Sequence, residues 1–550
     1  MCKRFQHIAF GVILFAGIVL RLIGLHSIQP DNPDEAMYLR QARFMSTIVR
    51  YQMGCSTPVL QAEGEGIWRY IQRSDWYAKP CWLHAGLMAI PMIVWGAQEW
   101  AGLLIPIVFS LATVVLLYFF CRQQYNPTVG LVAAGILAIS HYWLIYSRGF
   151  FAEVDTVFFV VLAYVWIIRG PKTSREMLYA ALAGISTAVA ILVHYRVLFV
   201  VAPLGLCLLL HAKSWRQAML QGAAFMFACV LVLLGFELAT RMGVHGLGGG
   251  EDMQSYFAAL WERYGPSVDA VDGTSHTGWN PSSILDNIRH LIRWQGIAPF
   301  VLMCCGVIFS WRQNRRHGGA VLTMLVFPLL VLSLQVWVVA RVVTILVPFA
   351  CIAAGVGAAG LWSIPVFGTR CKPWIQSAVI VLLLAGFLEN MIRNVPLLQN
   401  HTGYPSAVTW LADEQIRVVY ATNETRDILG WYMPGLEVRS IRTLPEDAVL
   451  ADGETVMFDG LLFHYYPASR IPLMRREAHL LARGHQQIRF PNLTHTWRHF
   501  LYDGTQAHSV REMREDMQSI PLADLQSIRI YTPPPEAEPY HSNSEIMYDL

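Results

Sequence analysis

Two adjacent carboxylates are the first residues in this 550-residue chain placed to do chemistry. They sit in Pro30-Asp31-Asn32-Pro33-Asp34-Glu35-Ala36-Met37-Tyr38, just past the first apolar segment. Charged groups beside a membrane helix are costly and tend to mark function. A carboxylate there is what a membrane enzyme needs as a general base. The plainer reading makes Asp34 a helix cap. Pro33 disfavours helix at Asn32, and Asp34 can cap a helix starting after it. That helix would carry Tyr38, Gln41, Ala42 and Met45 along the membrane surface.

Further polar residues stand at the mouths of apolar segments. Tyr77-Ala78-Lys79-Pro80-Cys81-Trp82 offers a lysine that either snorkels or holds a phosphate as a point charge. Ser147-Arg148-Gly149-Phe150-Phe151-Ala152-Glu153-Val154-Asp155 places two acids at i, i+2 on a turn between spans. Glu153 and Asp155 have the chemistry to hold a hard divalent cation, or to position an acceptor. His194-Tyr195-Arg196 ends another apolar run, and Arg341 lies between Ala340 and Val342 where two runs meet. Arg341, and Arg21 near the end of the first run, could equally be snorkelling side chains.

The elements that must position these groups follow from composition. The chain is 55% hydrophobic and 14% charged, against about 25% charged for a soluble domain. A net charge of +3 excludes a nucleic-acid binder. Apolar stretches near 7–25, 101–121, 128–146, 151–169, 177–194, 197–211, 217–239, 297–311, 319–338, 341–363 and 374–391 each approach the ~20 residues needed to span a bilayer. A further stretch, 82–97, is short and carries Pro91. If it does not cross, Lys3/Arg4, Arg122, Arg169/Lys172/Arg175, Lys213/Arg216, Arg312/Arg315/Arg316 and Arg370/Lys372 share one side, as the positive-inside rule asks. The fold expected is an α-helical polytopic membrane protein of about eleven spans. Its membrane domain covers 1–391, with extracytoplasmic loops 26–100 and 240–296. An odd span count puts residues 392–550 outside the cytoplasm. There Arg417-Val418-Val419-Tyr420, Val456-Met457-Phe458 and Ser527 to Tyr531 read as strands and Glu477 to Gly484 as a helix, giving a small α/β domain. The acids and bases above then converge on the extracytoplasmic face.

Ten cysteines show no zinc spacing. Cys55 and Cys81 share one predicted loop and are able to pair. The N-terminus reads as an uncleaved helix rather than a signal peptide. Asn400, Asn423 and Asn492 open N-x-[ST] sequons, and Gly246-Leu247-Gly248-Gly249-Gly250 follows no strand, so it is a loop rather than a phosphate cradle.

This arrangement resembles the GT-C fold of glycosyltransferases that use polyprenyl-phosphate sugars, in the branch of the protein O-mannosyltransferases and lipid A aminoarabinose transferases. The residues that carry it are Pro33-Asp34-Glu35-Ala36-Met37-Tyr38, Lys79-Pro80, Ser147-Arg148 with Glu153, Gly184 to Arg196, and Ala340-Arg341 to Pro348. It covers about residues 7–363. The chain departs from the pattern at Ala78, Cys81 and Met37, where an acid, a second proline and an arginine are usual. The resemblance implies that Asp34 is the general base, with Glu35, Glu153 and Asp155 as further catalytic acids. It implies that Lys79, Arg196 and Arg341 neutralise the donor phosphate. Tyr38, Trp76, Tyr77, Arg148 and His194 would bind substrate, with Trp68, Trp82, Tyr142 and Trp143 as aromatic cavity edges. The implied reaction is sugar transfer, with inversion, to an acceptor hydroxyl of a protein, glycolipid or glycan at a bacterial inner membrane. A transporter or flippase of a lipid-linked substrate is the alternative. Transporters commonly show inverted repeats and broken helices, and the sequence shows neither.

Overall fold

A computed structural model describes residues 3–30, 33–55, 81–246, 281–333, 340–363, 368–398, 402–445, 450–459, 467–483, 485–491 and 527–533. The chain divides into two compact units; the described residues up to 398 belong to the first and those from 402 onward to the second.

The first unit is helical: α1 (Lys3–Leu22), α2 (Pro33–Gln52), α3 (Trp82–Trp95), α4 (Glu99–Gln124), α5 (Pro127–Ile139), α6 (His141–Ser147), α7 (Glu153–Arg169), α8 (Glu176–Val193), α9 (Val201–His211), α10 (Trp215–Gly246), α11 (Pro281–Gln295), α12 (Ile297–Gln313), α13 (Arg315–Ser333), α14 (Val347–Ser363) and α15 (Gly368–Leu398). Short 3-10 segments, Tyr195–Val200 and Ala340–Leu346, lead into α9 and α14. Among the described residues, six helical stretches are long and apolar enough to cross a membrane, falling in α1, α4, α8, α10, α14 and α15. The bent pair α5 and α6 adds another. The chain is a multi-pass membrane protein. Each apolar stretch read from the sequence is helical, with residues 334–339 outside the described set. The 14 residues of α3 measure about 21 Å, short of the ~30 Å hydrocarbon core.

Two expectations need correction. The span at 128–146 is broken: α5 and α6 meet at 58°. Ser140 turns extended between them, and its Oγ caps α6 by accepting from the Trp143 amide at 3.4 Å. Backbone groups released by the break need partners inside a membrane protein, and distant side chains supply them. The His141 amide donates to Asn390 Oδ1 at 2.8 Å, and Asn394 Nδ2 donates to the Ile139 carbonyl at 3.0 Å. Arg21 Nη1 donates to the Ala138 carbonyl at 3.1 Å. Arg21 therefore does not snorkel. It is fully buried, and its other contacts are Ser110 Oγ at 2.8 Å and the Gly17 carbonyl at 2.8 Å.

The core is continuous through α4, α5, α7, α8, α12 and α14. Close approach of α12 and α14 rests on Gly306 and Gly357. A Cβ on either would run into the carbonyl of Ala353 or Leu302. Small residues at such crossings let membrane helices pack backbone to backbone.

The second unit holds α16 (Tyr404–Asp413), β1 (Val418–Ala421), α17 (Asn423–Tyr432), β2 (Glu437–Ser440), β3 (Glu454–Asp459), α18 (Pro467–Ala482), β4 (Gln486–Pro491) and β5 (Ser527–Thr532). Its sheet runs β2-β1-β3-β5-β4. β1 lies parallel to β2 and β3, with Val418 opposite Glu437 and Glu454, while β5 runs antiparallel to β3 and β4. The strands read from the sequence are the buried ones, β1, β3 and β5. β2 and β4 alternate or stay exposed, as edge strands do, and so gave little signal. Helix α18 starts at Pro467, ten residues ahead of the expected Glu477.

Candidate active site

Pro33 is the first residue of α2, so Asp34 and Glu35 lie inside the first turn rather than ahead of it as a cap. Proline suits that position because its fixed φ is helical and its missing N–H would have no partner there. The helix N-terminus favours negative charge on both acids. The two acids then part company. Asp34 keeps some exposure, while Glu35 is buried at 3% and its Oε1 accepts from the Phe150 amide at 2.9 Å.

Phe150 belongs to the turn between α6 and α7, and the turn is gripped from several sides. Arg148 Nη1 donates to the carbonyls of Leu20, Arg21 and Ile23 at 2.9, 3.2 and 2.6 Å. The residue expected to bind substrate thus places its charge on the carbonyl end of α1, where the helix dipole welcomes a cation. Gly149 leaves room for this packing: a Cβ would sit 2.7 Å from Glu35 Oε1 and 2.8 Å from the Phe151 ring. The Phe150 carbonyl meets His84 Nε2 at 2.9 Å, and His84 Nδ1 meets Asp155 Oδ2 at 2.8 Å. Both His84 and Asp155 are completely buried. Tyr38 packs edge-on against the His84 ring at 5.1 Å, and its hydroxyl accepts from Cys81 Sγ at 3.7 Å. On the other side, Glu153 Oε1 lies 3.9 Å from His194 Nε2, and the His194 ring stacks on Tyr195.

Four sequence candidates, Glu35, Tyr38, Arg148 and Asp155, are therefore drawn to His84 and the Phe150 turn from α2, α3 and α7, while Glu153 at the start of α7 pairs with His194 at the end of α8. Lys79, Trp68, Trp76 and Tyr77 lie outside the described residues, as do the side chains of Arg196 and Arg341. Trp82, Tyr142 and Trp143 do not line an open edge; they are buried in packed clusters at 5%, 1% and 0% exposure. Cys55 and Cys81 are both thiols, one exposed and the other buried against Tyr38, so they do not pair. His84 escaped the sequence reading. A lone histidine in Trp-Leu-His-Ala-Gly-Leu-Met reads as core; the available signal was that it is the sole titratable residue in α3.

Among the described residues no group of three or more His, Cys, Asp or Glu side chains is arranged around a common point. Asp155 Oδ2 is committed to His84.

Residues 79–236 match the family described as dolichyl-phosphate-mannose-protein mannosyltransferase. Among solved structures, ArnT from Cupriavidus metallidurans in the apo state is 11% identical with a TM-score of 0.52, covering 88% of this chain and 92% of that one. The chain has the GT-C fold. ArnT from the same organism bound to undecaprenyl phosphate aligns at 10% identity and TM-score 0.50, over 80% of this GT-C chain and 86% of the other. The archaeal oligosaccharyltransferase AglB from Archaeoglobus fulgidus, in complex with an inhibitory peptide and a dolichol-phosphate, is 14% identical with a TM-score of 0.46 over 75% of this chain. The alignment spans 58% of that protein's length. No curated protein matches in sequence.

Proposed function

We propose that the chain is a membrane glycosyltransferase that moves a sugar from a polyprenyl-phosphate donor to an acceptor hydroxyl on the extracytoplasmic face. One observation carries the reading. In a GT-C fold, a partly exposed carboxylate, Asp34, stands in the first turn of α2 beside a buried one, Glu35, that accepts from the Phe150 amide, on a framework of buried polar contacts. Asp34 takes the acceptor's proton as the hydroxyl oxygen attacks the anomeric carbon from the side opposite the phosphate. The bond to the phosphate oxygen breaks, and the configuration inverts. Lys79 and Arg341, with Arg196, neutralise the departing lipid phosphate. Glu153 serves as a second catalytic acid, with His194 Nε2 3.9 Å from its Oε1. An ArnT structure holds undecaprenyl phosphate, which supports a lipid phosphate as the leaving group here. The membrane domain covers 1–391, and residues 392–550 form an extracytoplasmic domain. A bacterial inner membrane suits the short loops.

The test is transfer in membranes containing wild type or Asp34→Asn, supplied with radiolabelled polyprenyl-phosphate sugars. Loss of a general base costs about 10²–10⁴ in rate, so the variant, expressed at the wild-type level, should transfer at least about a hundredfold more slowly. A variant as fast as wild type would remove Asp34 from the mechanism.

A further inference from the structure

His84 lies on α3, outside every segment that the sequence assigned to chemistry, yet its two ring nitrogens hold different parts of the site together. Nε2 stands 2.9 Å from the Phe150 carbonyl. A carbonyl only accepts, so Nε2 carries a hydrogen. Nδ1 stands 2.8 Å from Asp155 Oδ2. That contact needs one proton between the two atoms, and the proton belongs to the pair whether it is written as imidazolium and carboxylate or as imidazole and carboxylic acid. His84 cannot pass the proton on, because its other nitrogen ends on a carbonyl. The same residue, Phe150, is held at its N–H by Glu35 Oε1 at 2.9 Å. The backbone of one residue is therefore held at its N–H by α2 and at its carbonyl by α3 and α7.

We propose that His84 and Asp155 form a one-proton strut that fixes the backbone of Phe150 and, through Glu35, the first turn of α2 that carries Asp34. His84 is a positioning residue, and Asp155 serves the strut rather than acting as a base. A histidine placed only to fill the core would need no acid beside it. Burying a carboxyl group is expensive unless its partner is fixed, and a hydrogen bond in a low-dielectric interior is stronger than in water. Tyr38 closes over the His84 ring from α2, so the strut touches the acid-bearing helix a second time.

The kinetic arm of the test rests on the glycosyltransferase reading; the exchange arm does not. Full-length wild type, His84→Phe, Asp155→Ala and Asp155→Asn are purified in detergent. The asparagine can donate Nδ2–H to His84 Nδ1 while Nε2–H stays on Phe150, so it keeps the strut and removes the shared proton. Amide exchange in a peptide covering residues 148–152 should quicken about tenfold or more in His84→Phe and Asp155→Ala, and stay near wild type in Asp155→Asn. In the transfer assay the first two variants should lose about tenfold or more in kcat with little change in donor KM, and Asp155→Asn should retain clearly more activity than Asp155→Ala. Unchanged exchange in a folded His84→Phe would overturn the strut. Asp155→Asn with native exchange but activity as low as Asp155→Ala would overturn the positioning role, since Asp155 would then act through its charge. If His84→Phe does not fold, the two Asp155 variants decide alone. If wild type transfers from no donor, the proposed function fails and the exchange arm still decides the strut.

Discussion

At the scale of single residues, the site separates two neighbouring acids that the sequence presents as equals. Glu35 Oε1 accepts from the Phe150 amide. Glutamine can still accept that bond, whereas leucine leaves a buried N–H without its partner, at about 1–3 kcal/mol. Glu35→Gln should keep most of the thermal stability and much of the transfer activity, while Glu35→Leu should melt several degrees lower in detergent. Equal melting temperatures for the two variants would show that the Phe150 contact carries no weight. The types of these acids were legible from their place beside an apolar segment, because charge is costly there. Their division of labour was not, since it is set by Phe150, more than a hundred positions away. Arg148 makes the same point. The family resemblance implies a substrate contact, and Arg148 Nη1 donates to the carbonyls at the end of α1.

At the scale of elements, the apolar helices of the first unit were legible because each lies in a long apolar run, and length against bilayer thickness is a strong constraint, whereas the polar helix α11, Pro281–Gln295, falls inside the expected loop 240–296. The break at Ser140 was not, because Ala-Ile-Ser-His sits inside an otherwise continuous apolar stretch. What permits it lies on α15, where Asn390 and Asn394 are one turn apart and both reach the break. Asn390 Nδ2 also donates to the Gln295 and Gly386 carbonyls, tying α11 to the same point. Interhelical hydrogen bonds in membranes are worth about 0.6 kcal/mol on average and up to about 1.7. Asn394→Leu frees the Ile139 carbonyl and His141 Nδ1 together, so it should cost near the top of that range. Urea or thermal unfolding in micelles measures it, and a loss below about 0.5 kcal/mol would mean the break is held by packing alone. In the second unit the buried strands were readable and the edge strands were not, which reflects how weakly β-propensity acts where a strand is half exposed.

At the scale of the whole molecule, the proposed chemistry depends on which side of the membrane each segment faces, and that depends on one short helix. If α3 stays within one leaflet, as its 14 residues and internal Pro91 suggest, the basic clusters share the cytoplasmic side and both Asp34 and the second unit face outward. If α3 crosses, every later segment changes sides and the second unit moves to the opposite face from Asp34. Cys55 is exposed just after α2 and is a natural probe for the first loop. Glu414→Cys, at an exposed position ending α16, adds a probe on the second unit. A membrane-impermeant maleimide applied to intact spheroplasts should label wild type, lose that label in Cys55→Ser, and regain it in Cys55→Ser with Glu414→Cys. Labelling of Cys55 alone from outside, with the Glu414→Cys site reached only after permeabilisation, would make the span count even. The second unit would then be cytoplasmic, and the basic clusters after α3 would face outward against the positive-inside rule. Labelling of both from outside leaves the acids of α2, the Phe150 turn and the end of α8 on the face where a lipid-linked sugar would meet an extracytoplasmic acceptor.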